Sequence, residues 1–149
     1  MSTHKRVTEQ AAIPRLSSTY WQQLLASEGE RLDRFGIKAA LLTIQTGSSD
    51  EREILRLYRL LEINARNTDQ LHRVDERHFA LLVAPIEDLT STVRRANDLH
   101  DQANRHNLDG SIGFALRRPQ ESLLDTWARA DAELDRLHFR NSPDPLSNL

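Results

Sequence analysis

Two oppositely charged side chains stand three residues apart, directly before a segment with strand character. Arg66 and Asp69 enclose Asn67 and Thr68. An arginine guanidinium can donate two parallel hydrogen bonds to an anion such as phosphate, and a carboxylate can accept hydrogen bonds from ring and amino N–H groups. The pair is therefore a candidate ligand site. The same residues could instead only end a helix, because an arginine is favoured at the helix's negative pole.

The composition limits the classes of protein to which the chain can belong. Its 149 residues fit one domain with a single core, and its net charge is -2. This charge gives no long-range attraction for nucleic acid or for an anionic membrane surface. The chain has no cysteine, which excludes disulfides and thiolate catalysis. No apolar run approaches the roughly 20 residues of a membrane span and no signal peptide is evident, so we expect a cytoplasmic protein without nucleic-acid or membrane partners.

The spacing of the apolar residues alternates between helix and strand periods. Helical spacing begins at Tyr20, after Ser18 and Thr19, and runs to Phe35. A continuous apolar run at 39–44 predicts a strand with both faces covered. Ser48 and Glu51 form a predicted capping box at the start of a second helix. That helix ends at the arginine–aspartate pair.

A hairpin, two more helices and another strand complete the predicted domain. The hairpin strands cover residues 71–75 and 79–83, with the second strand central, and a further strand covers 111–116. The third helix has one apolar face, formed by Leu89, Val93, Ala96, Leu99 and Ala103. The last helix has another, formed by Leu123, Trp127, Ala130, Leu134 and Leu137. This order predicts an α+β domain with a central, mainly antiparallel sheet flanked by helices.

The ends of the chain lack the pattern of a folded segment. Residues 1–16 show no apolar periodicity, and residues 142–149 are rich in proline, serine and asparagine. We therefore expect flexible tails at 1–16 and 142–149, and a folded domain over residues 17–141.

Several segments resemble the GGDEF family, whose members make the bacterial second messenger cyclic di-GMP. In that family an Arg-x-x-Asp motif, matched here by residues 66–69, precedes a strand, a Gly-Gly-acidic-acidic-Phe turn and an apolar strand. Residues 111–115 (Ser-Ile-Gly-Phe-Ala) are similar to the family's Ser-Ile-Gly-x-Ala strand. Residues 128–134 (Ala-Arg-Ala-Asp-Ala-Glu-Leu) are similar to its Arg-Ala-Asp-x-Ala-Leu-Tyr helix. The resemblance implies the GGDEF, nucleotidyl-cyclase-like fold.

The signature turn of the family is degenerate in this chain. Its five positions hold Asp75, Glu76, Arg77, His78 and Phe79, so only the final phenylalanine matches. The resemblance places Arg77 where the family has a metal-binding acid. Asp75 and Glu76 replace the glycines that let a nucleobase approach the hairpin.

Other catalytic parts implied by the resemblance are also replaced. Thr43 and Gln45 occupy the first-strand positions that include a metal-binding aspartate in the family. Residues 46–49 stand in place of a longer segment that binds metal, phosphate and guanine in the family. The six histidines show no metal-ligand spacing. We therefore predict no diguanylate cyclase activity, no catalytic residue, no metal and no cofactor.

The retained pair has a different role in the family, where it forms an inhibitory site for the product. The resemblance implies that Arg66 and Asp69 contact the guanine and phosphate groups of cyclic di-GMP. Family members commonly add an arginine from the helix after the hairpin, and Asp98 stands at that place here. Three other arginines are candidate sources of positive charge: Arg73, Arg94 and Arg95. Arg73 could instead face solvent.

Two functional hypotheses are consistent with these residues. The first is a catalytically inactive GGDEF-like signalling domain, a receptor that binds cyclic di-GMP at Arg66 and Asp69 and acts through contact with an unidentified protein or a second copy of itself. The alternative is a ligand-independent interaction or dimerisation module that keeps only the fold, with the first helix and the tails as its interface.

Overall fold

The computed structural model describes residues 17–134 and 137–139. The elements in this part of the chain are α1 (Ser18–Phe35), β1 (Ala40–Gln45), α2 (Glu51–Asn64), β2 (Gln70–Asp75), β3 (His78–Val83), α3 (Leu89–Arg105), β4 (Gly110–Leu116), α4 (Leu123–Ala132) and β5 (Leu137–Phe139). The strands form one sheet in the order β2-β3-β1-β4-β5, with every neighbouring pair antiparallel. The predicted α+β class with an antiparallel sheet is confirmed.

Some predictions fall on other parts of the chain. The tails predicted at residues 1–16 and 142–149, and the domain limit at residue 141, lie outside the described residues. Within the described part, none of the helices has both the length and the apolar character needed to cross a membrane.

Strand β1 is the centre of the sheet, and helices cover both of its faces. Residues 40–44 are fully buried, as the continuous apolar run predicted. One face packs against α2 and α3, in a core that includes Leu42, Ile44, Leu57, Phe79 and Leu99. The other face packs against α1 and α4, in a core that includes Trp21, Leu25, Leu41, Leu82 and Trp127. Strand β3, predicted to be central, is an interior strand beside β1.

Helix α2 begins later than the predicted capping box. Asp50 is the N-cap, because its Oδ1 accepts a hydrogen bond of 2.9 Å from the backbone N–H of Arg52. The Ser48 hydroxyl instead accepts a hydrogen bond of 3.1 Å from the backbone N–H of Asp50. The serine therefore shapes the turn before the helix, and the predicted pairing of Ser48 with Glu51 is wrong.

The buried face of α3 differs from the predicted apolar face at its first turn. Leu89 is 55% exposed, and the buried positions are Thr92, Ala96, Leu99 and Ala103. Thr92 can be buried because its hydroxyl donates a hydrogen bond of 2.9 Å to the carbonyl oxygen of Asp88. An apolar pattern cannot identify a polar side chain whose hydrogen bond is satisfied within its own helix.

The last predicted helix is shorter than its apolar spacing suggested. Helix α4 ends at Ala132, and Leu137 begins β5, where it pairs with Ile112 of β4. Gly113 permits this path, since a Cβ there would lie 2.2 Å from the carbonyl oxygen of Ala130. The end of α4 thus crosses directly over β4, and the chain then returns as an edge strand that the sequence pattern did not predict.

Candidate functional site

Residues 66–69 form a closed turn that leads from α2 into β2. The backbone N–H of Asp69 donates to the carbonyl oxygen of Arg66 at 2.9 Å. The backbone N–H of Arg66 donates to Asp69 Oδ2 at 2.8 Å. The Asp69 side chain is completely buried. This turn fixes the carboxylate of Asp69 beneath the surface and directs the Arg66 side chain outward from the same loop.

The buried carboxylate of Asp69 holds two guanidinium groups. Arg95 Nη2 donates to Asp69 Oδ2 at 2.8 Å, and Arg66 Nη2 lies 3.4 Å from Asp69 Oδ1. Arg66 Nη2 also donates to the Pro85 carbonyl oxygen at 2.8 Å, and Arg95 Nη2 lies 3.4 Å from the carbonyl oxygen of Asn64. The buried Asp69 carboxylate therefore positions the guanidinium groups of Arg66 and Arg95. It is Arg95, not Arg66, that contacts the last carbonyl of α2.

An open cleft of about 960 Å³ lies beside this turn, between the segment before β1, the segment after β3 and one face of α3. This volume is within the range of small-molecule sites. Four cationic side chains line it: Lys38, Arg66, Arg94 and Arg95. Two carboxylates also line it: Glu87 and Asp98. The cleft is therefore cationic on balance and suits an anionic ligand that also carries hydrogen-bond donors.

Several cations of the cleft retain unused donors. Within the described residues, the side chains of Lys38 and Arg94 make no hydrogen bond. In the same part of the chain, Arg95 Nη1 is buried without a hydrogen-bond partner. The pKa of Asp88 at the N-cap of α3 is lowered, first by hydrogen bonds from Ser91 and further by the positive charges of Arg94 and Lys38. These charges thus act together on this side of α3.

Arg73 lies away from the cleft. Its side chain is 5% exposed, and its Nη1 contacts Glu51 Oε1 at 3.0 Å. Its Nη2 also donates to the carbonyl oxygen of Glu76 at 2.7 Å. Arg73 therefore joins the hairpin to the first turn of α2. The structure brings Arg66, Arg94 and Arg95 together around the cleft, and Arg73 is not part of its lining. The guanidinium of Arg73 is buried, so the alternative that it faces solvent is wrong.

The degenerate signature forms a closed hairpin turn. Asp75, Glu76 and Arg77 are exposed, His78 is half-buried, and Phe79 lies in the core. The backbone N–H of Glu76 donates to Asp75 Oδ1 at 2.7 Å. In addition, the backbone N–H of Thr46 donates to the Arg77 carbonyl oxygen at 2.9 Å. The turn is thereby fastened to the short segment that follows β1.

A polar cluster that sequence reasoning missed connects this hairpin with α4. Thr43 is fully buried, and its hydroxyl donates to Asp131 Oδ1 at 2.8 Å and contacts His78 Nε2. His78 Nε2 lies 3.1 Å from Asp131 Oδ1, and its ring packs against Trp127 with centroids 5.1 Å apart. The signal in the sequence that could have indicated this cluster is Thr43, a polar residue inside the apolar run at 39–44. Among the described residues, no group of three or more histidine, aspartate or glutamate side chains is arranged to hold a metal ion.

Sequence comparison and structure comparison differ in what they find. No protein-family model and no curated protein sequence matches the chain. The GGDEF domain of DgcB from Caulobacter crescentus, solved in complex with c-di-GMP, matches with a TM-score of 0.70 at 16% identity, over 82% of this chain and 84% of that chain. A truncated TpbB (YfiN) from Pseudomonas aeruginosa, comprising only the GGDEF domain, matches with a TM-score of 0.70 at 15% identity, over 85% of each chain.

A third solved structure contains a protein partner. The diguanylate cyclase SiaD from Pseudomonas aeruginosa, in complex with its activator SiaC, matches with a TM-score of 0.69 at 19% identity. The match covers 90% of this chain and 61% of that chain. At such identities a structural match shows the fold alone. The chain has the α+β fold of GGDEF domains.

Proposed function

We propose that this chain is a GGDEF-like signalling domain without cyclase activity, which binds cyclic di-GMP in the cleft and acts through contact with another protein or a second copy of itself. The observation that carries the proposal is the cationic cleft beside the Asp69 turn, where one buried carboxylate positions Arg66 and Arg95. Such prepositioning lowers the entropy cost of ordering the guanidinium groups when a ligand binds.

The donors of the cleft match the acceptors of a cyclic dinucleotide. Arg66 is 48% exposed, and within the described residues its Nε and Nη1 make no hydrogen bond. Arg94 and Lys38 are exposed on the same cleft. Cyclic di-GMP has two phosphates and two guanines, both of which offer acceptors to guanidinium groups. We assign phosphate and guanine contact to Arg66, Arg94 and Arg95, and a positioning role to Asp69.

The proposed absence of cyclase activity is argued from residues near the end of β1 and in the hairpin turn between β2 and β3. Joining two GTP molecules needs divalent cations held by carboxylate oxygens. The Thr43 hydroxyl is enclosed by His78 and Asp131 instead, and the exposed Arg77 adds a positive charge at the turn. The hydrogen bond from Thr46 to Arg77 also holds the hairpin against the neighbouring loop. A triphosphate–magnesium complex would therefore meet an arginine and a buried threonine where it needs carboxylate ligands for the metal.

Isothermal titration of the full chain tests the proposal. Cyclic di-GMP should bind saturably, whereas GTP with magnesium should give no saturable heat and no cyclic product on chromatography. Arg66→Ala should weaken dinucleotide binding by about tenfold or more, because a hydrogen bond to a charged group contributes about 1.5–3 kcal/mol.

Arg59→Ala is the matched control for this titration. Arg59 is an exposed arginine of α2 outside the cleft lining, so its loss removes the same charge without removing a contact. Its affinity should stay within about twofold of wild type, since exposed charges away from the site are screened by salt. Equal affinity of Arg66→Ala and wild type would refute the assigned site, even if the dinucleotide binds elsewhere.

A second candidate function is supported by exposed apolar side chains on α1. Tyr20 is 51% exposed and Phe35 is 65% exposed, near opposite ends of this helix. Exposed aromatic residues are common at protein interfaces. In this alternative the domain binds a second copy of itself without a nucleotide. It predicts no heat with cyclic di-GMP, together with self-association in sedimentation that Phe35→Ser abolishes.

A further inference from the structure

Two carboxylates of the cleft, Glu87 and Asp98, make no hydrogen bond or ion pair within the described residues, and Asp98 is the one that lies on α3 beside Arg94 and Arg95. Asp69 is enclosed, with both of its oxygens facing arginine N–H groups. Asp98 is exposed and lines the cleft, and within the described residues it makes no hydrogen bond or ion pair. It follows Arg94 by four residues and Arg95 by three on α3, so all three lie on one face of the helix. Asp98 is thus a free anion beside the cations that face the cleft.

We infer that Asp98, rather than Asp69, is the carboxylate that recognises the guanine base of the bound dinucleotide. The inference rests on the proposed function and names the residue that sets base specificity in the same cleft. A carboxylate here opposes phosphate binding, so its favourable use is to accept hydrogen bonds from N–H groups of the ligand. The Asp69 side chain is completely buried beneath the arginines, so a ligand N–H group could reach it only if those side chains moved.

Guanine has the donor pattern that a carboxylate requires. Its N1–H and amino group lie side by side, so both oxygens of one carboxylate can accept from the same edge. Adenine presents an unprotonated ring nitrogen beside its amino group, and that nitrogen repels a carboxylate oxygen. Asp98 should therefore favour cyclic di-GMP over cyclic di-AMP, whereas phosphate contacts from the arginines and Lys38 would serve both ligands equally.

Substitution of Asp98 separates base recognition from simple electrostatics. Asp98→Asn removes a negative charge from a site for an anion, so electrostatics alone would tighten the binding of both dinucleotides. If Asp98 accepts from guanine, the same change weakens cyclic di-GMP and leaves cyclic di-AMP unchanged or tighter. The two accounts predict opposite signs for cyclic di-GMP.

The experiment is calorimetric titration of wild type, Asp98→Asn, Asp98→Ala and Glu87→Gln with each dinucleotide. The selectivity is the dissociation constant for cyclic di-AMP divided by that for cyclic di-GMP. For both Asp98 variants this ratio should fall by about tenfold or more, within the discrimination typical of a bidentate contact to a base. Glu87→Gln removes the same charge from the same cleft, so it should move both affinities in one direction and keep their ratio within about twofold.

The outcomes distinguish this inference from the proposed function. Wild type that binds cyclic di-GMP while the Asp98 variants keep the wild-type ratio would overturn the role of Asp98 alone. Wild type that fails to bind cyclic di-GMP would overturn both. A falling ratio in both Asp98 variants, with an unchanged ratio in Glu87→Gln, would support the assignment of Asp98 as the specificity residue.

Discussion

Replacing Asp69 by alanine should destabilise the domain, because it removes the acceptor that three hydrogen bonds share. The backbone N–H of Arg66 and the guanidinium of Arg95 each lie 2.8 Å from Asp69 Oδ2, and Arg66 Nη2 lies 3.4 Å from Asp69 Oδ1. The Asp69 side chain is completely buried and that of Arg95 is 18% exposed. The substitution therefore leaves a mostly buried cation without its counterion.

The magnitude is set by the burial of the two partners. Breaking a buried ion pair by removing one partner costs about 3–5 kcal/mol. Water reaches Arg95 in part and Arg66 to about half, which favours the lower end of the range. We expect a loss of about 3 kcal/mol in the free energy of unfolding. With a urea dependence of about 1.5–2 kcal/mol per molar, the midpoint should fall by roughly 1.5–2 M.

Urea unfolding monitored by tryptophan fluorescence measures this loss. The matched control is Asp98→Ala, an exposed carboxylate beside the same cleft, which should change the stability by no more than about 0.5 kcal/mol. In a double-mutant cycle, Asp69→Ala and Arg95→Met should be less than additive by at least about 1 kcal/mol, because the second change removes the stranded charge. A near-neutral Asp69→Ala, or an additive cycle, would refute the positioning role of Asp69.

Two further predictions concern the packing of α4 and the dependence of stability on pH. Gly113→Ala should cost at least about 3 kcal/mol in thermal unfolding, since its Cβ would lie 2.2 Å from the Ala130 carbonyl oxygen, whereas Gly47→Ala, whose Cβ would meet only a flexible carboxylate, should cost less than about 1 kcal/mol. The pKa of Glu121 is lowered from 4.5 to about 2, chiefly by the hydrogen bond from the Arg129 guanidinium, so this pair stabilises the fold above pH 4.5 and loses that effect as the pH falls through about 2. Water reaches the Arg129 side chain, which is 31% exposed, and this screening limits the effect to about 1–2 kcal/mol. The stability difference between wild type and Glu121→Gln should shrink towards zero between pH 5 and pH 2.

The central elements of the fold were predictable because their sequence patterns are long and regular. The apolar run of β1 and the helical spacing of α1 and α2 are local signals of burial. Strand β5 has three residues, too few to establish a period, and Leu134 and Leu137 happened to continue the spacing of α4. The end of α4 and the start of β5 depend on where the chain can cross β4, at Gly113, and this is a tertiary constraint that local spacing does not contain.

The candidate site was predictable only in part, for a similar reason. The types and spacing of Arg66 and Asp69 marked the turn, but burial decides which of them can meet a ligand. Lys38 approaches the cleft from the segment between α1 and β1, far from the turn in sequence, so no local pattern indicated it. Arg73 has the positive charge that an anionic ligand requires, but its guanidinium donates to Glu51, which precedes it by 22 residues, and is therefore held away from the cleft. Sequence spacing identified the chemistry, whereas the fold selected the residues that can use it.

Calorimetric titration of wild-type protein with cyclic di-GMP, in parallel with Arg66→Ala and Arg59→Ala, tests the central claim most directly. The account predicts saturable binding by wild type and Arg59→Ala, and an affinity about tenfold lower or worse for Arg66→Ala. Absence of binding by wild type, or equal affinities for all three proteins, would contradict a dinucleotide site in the cleft beside the Asp69 turn.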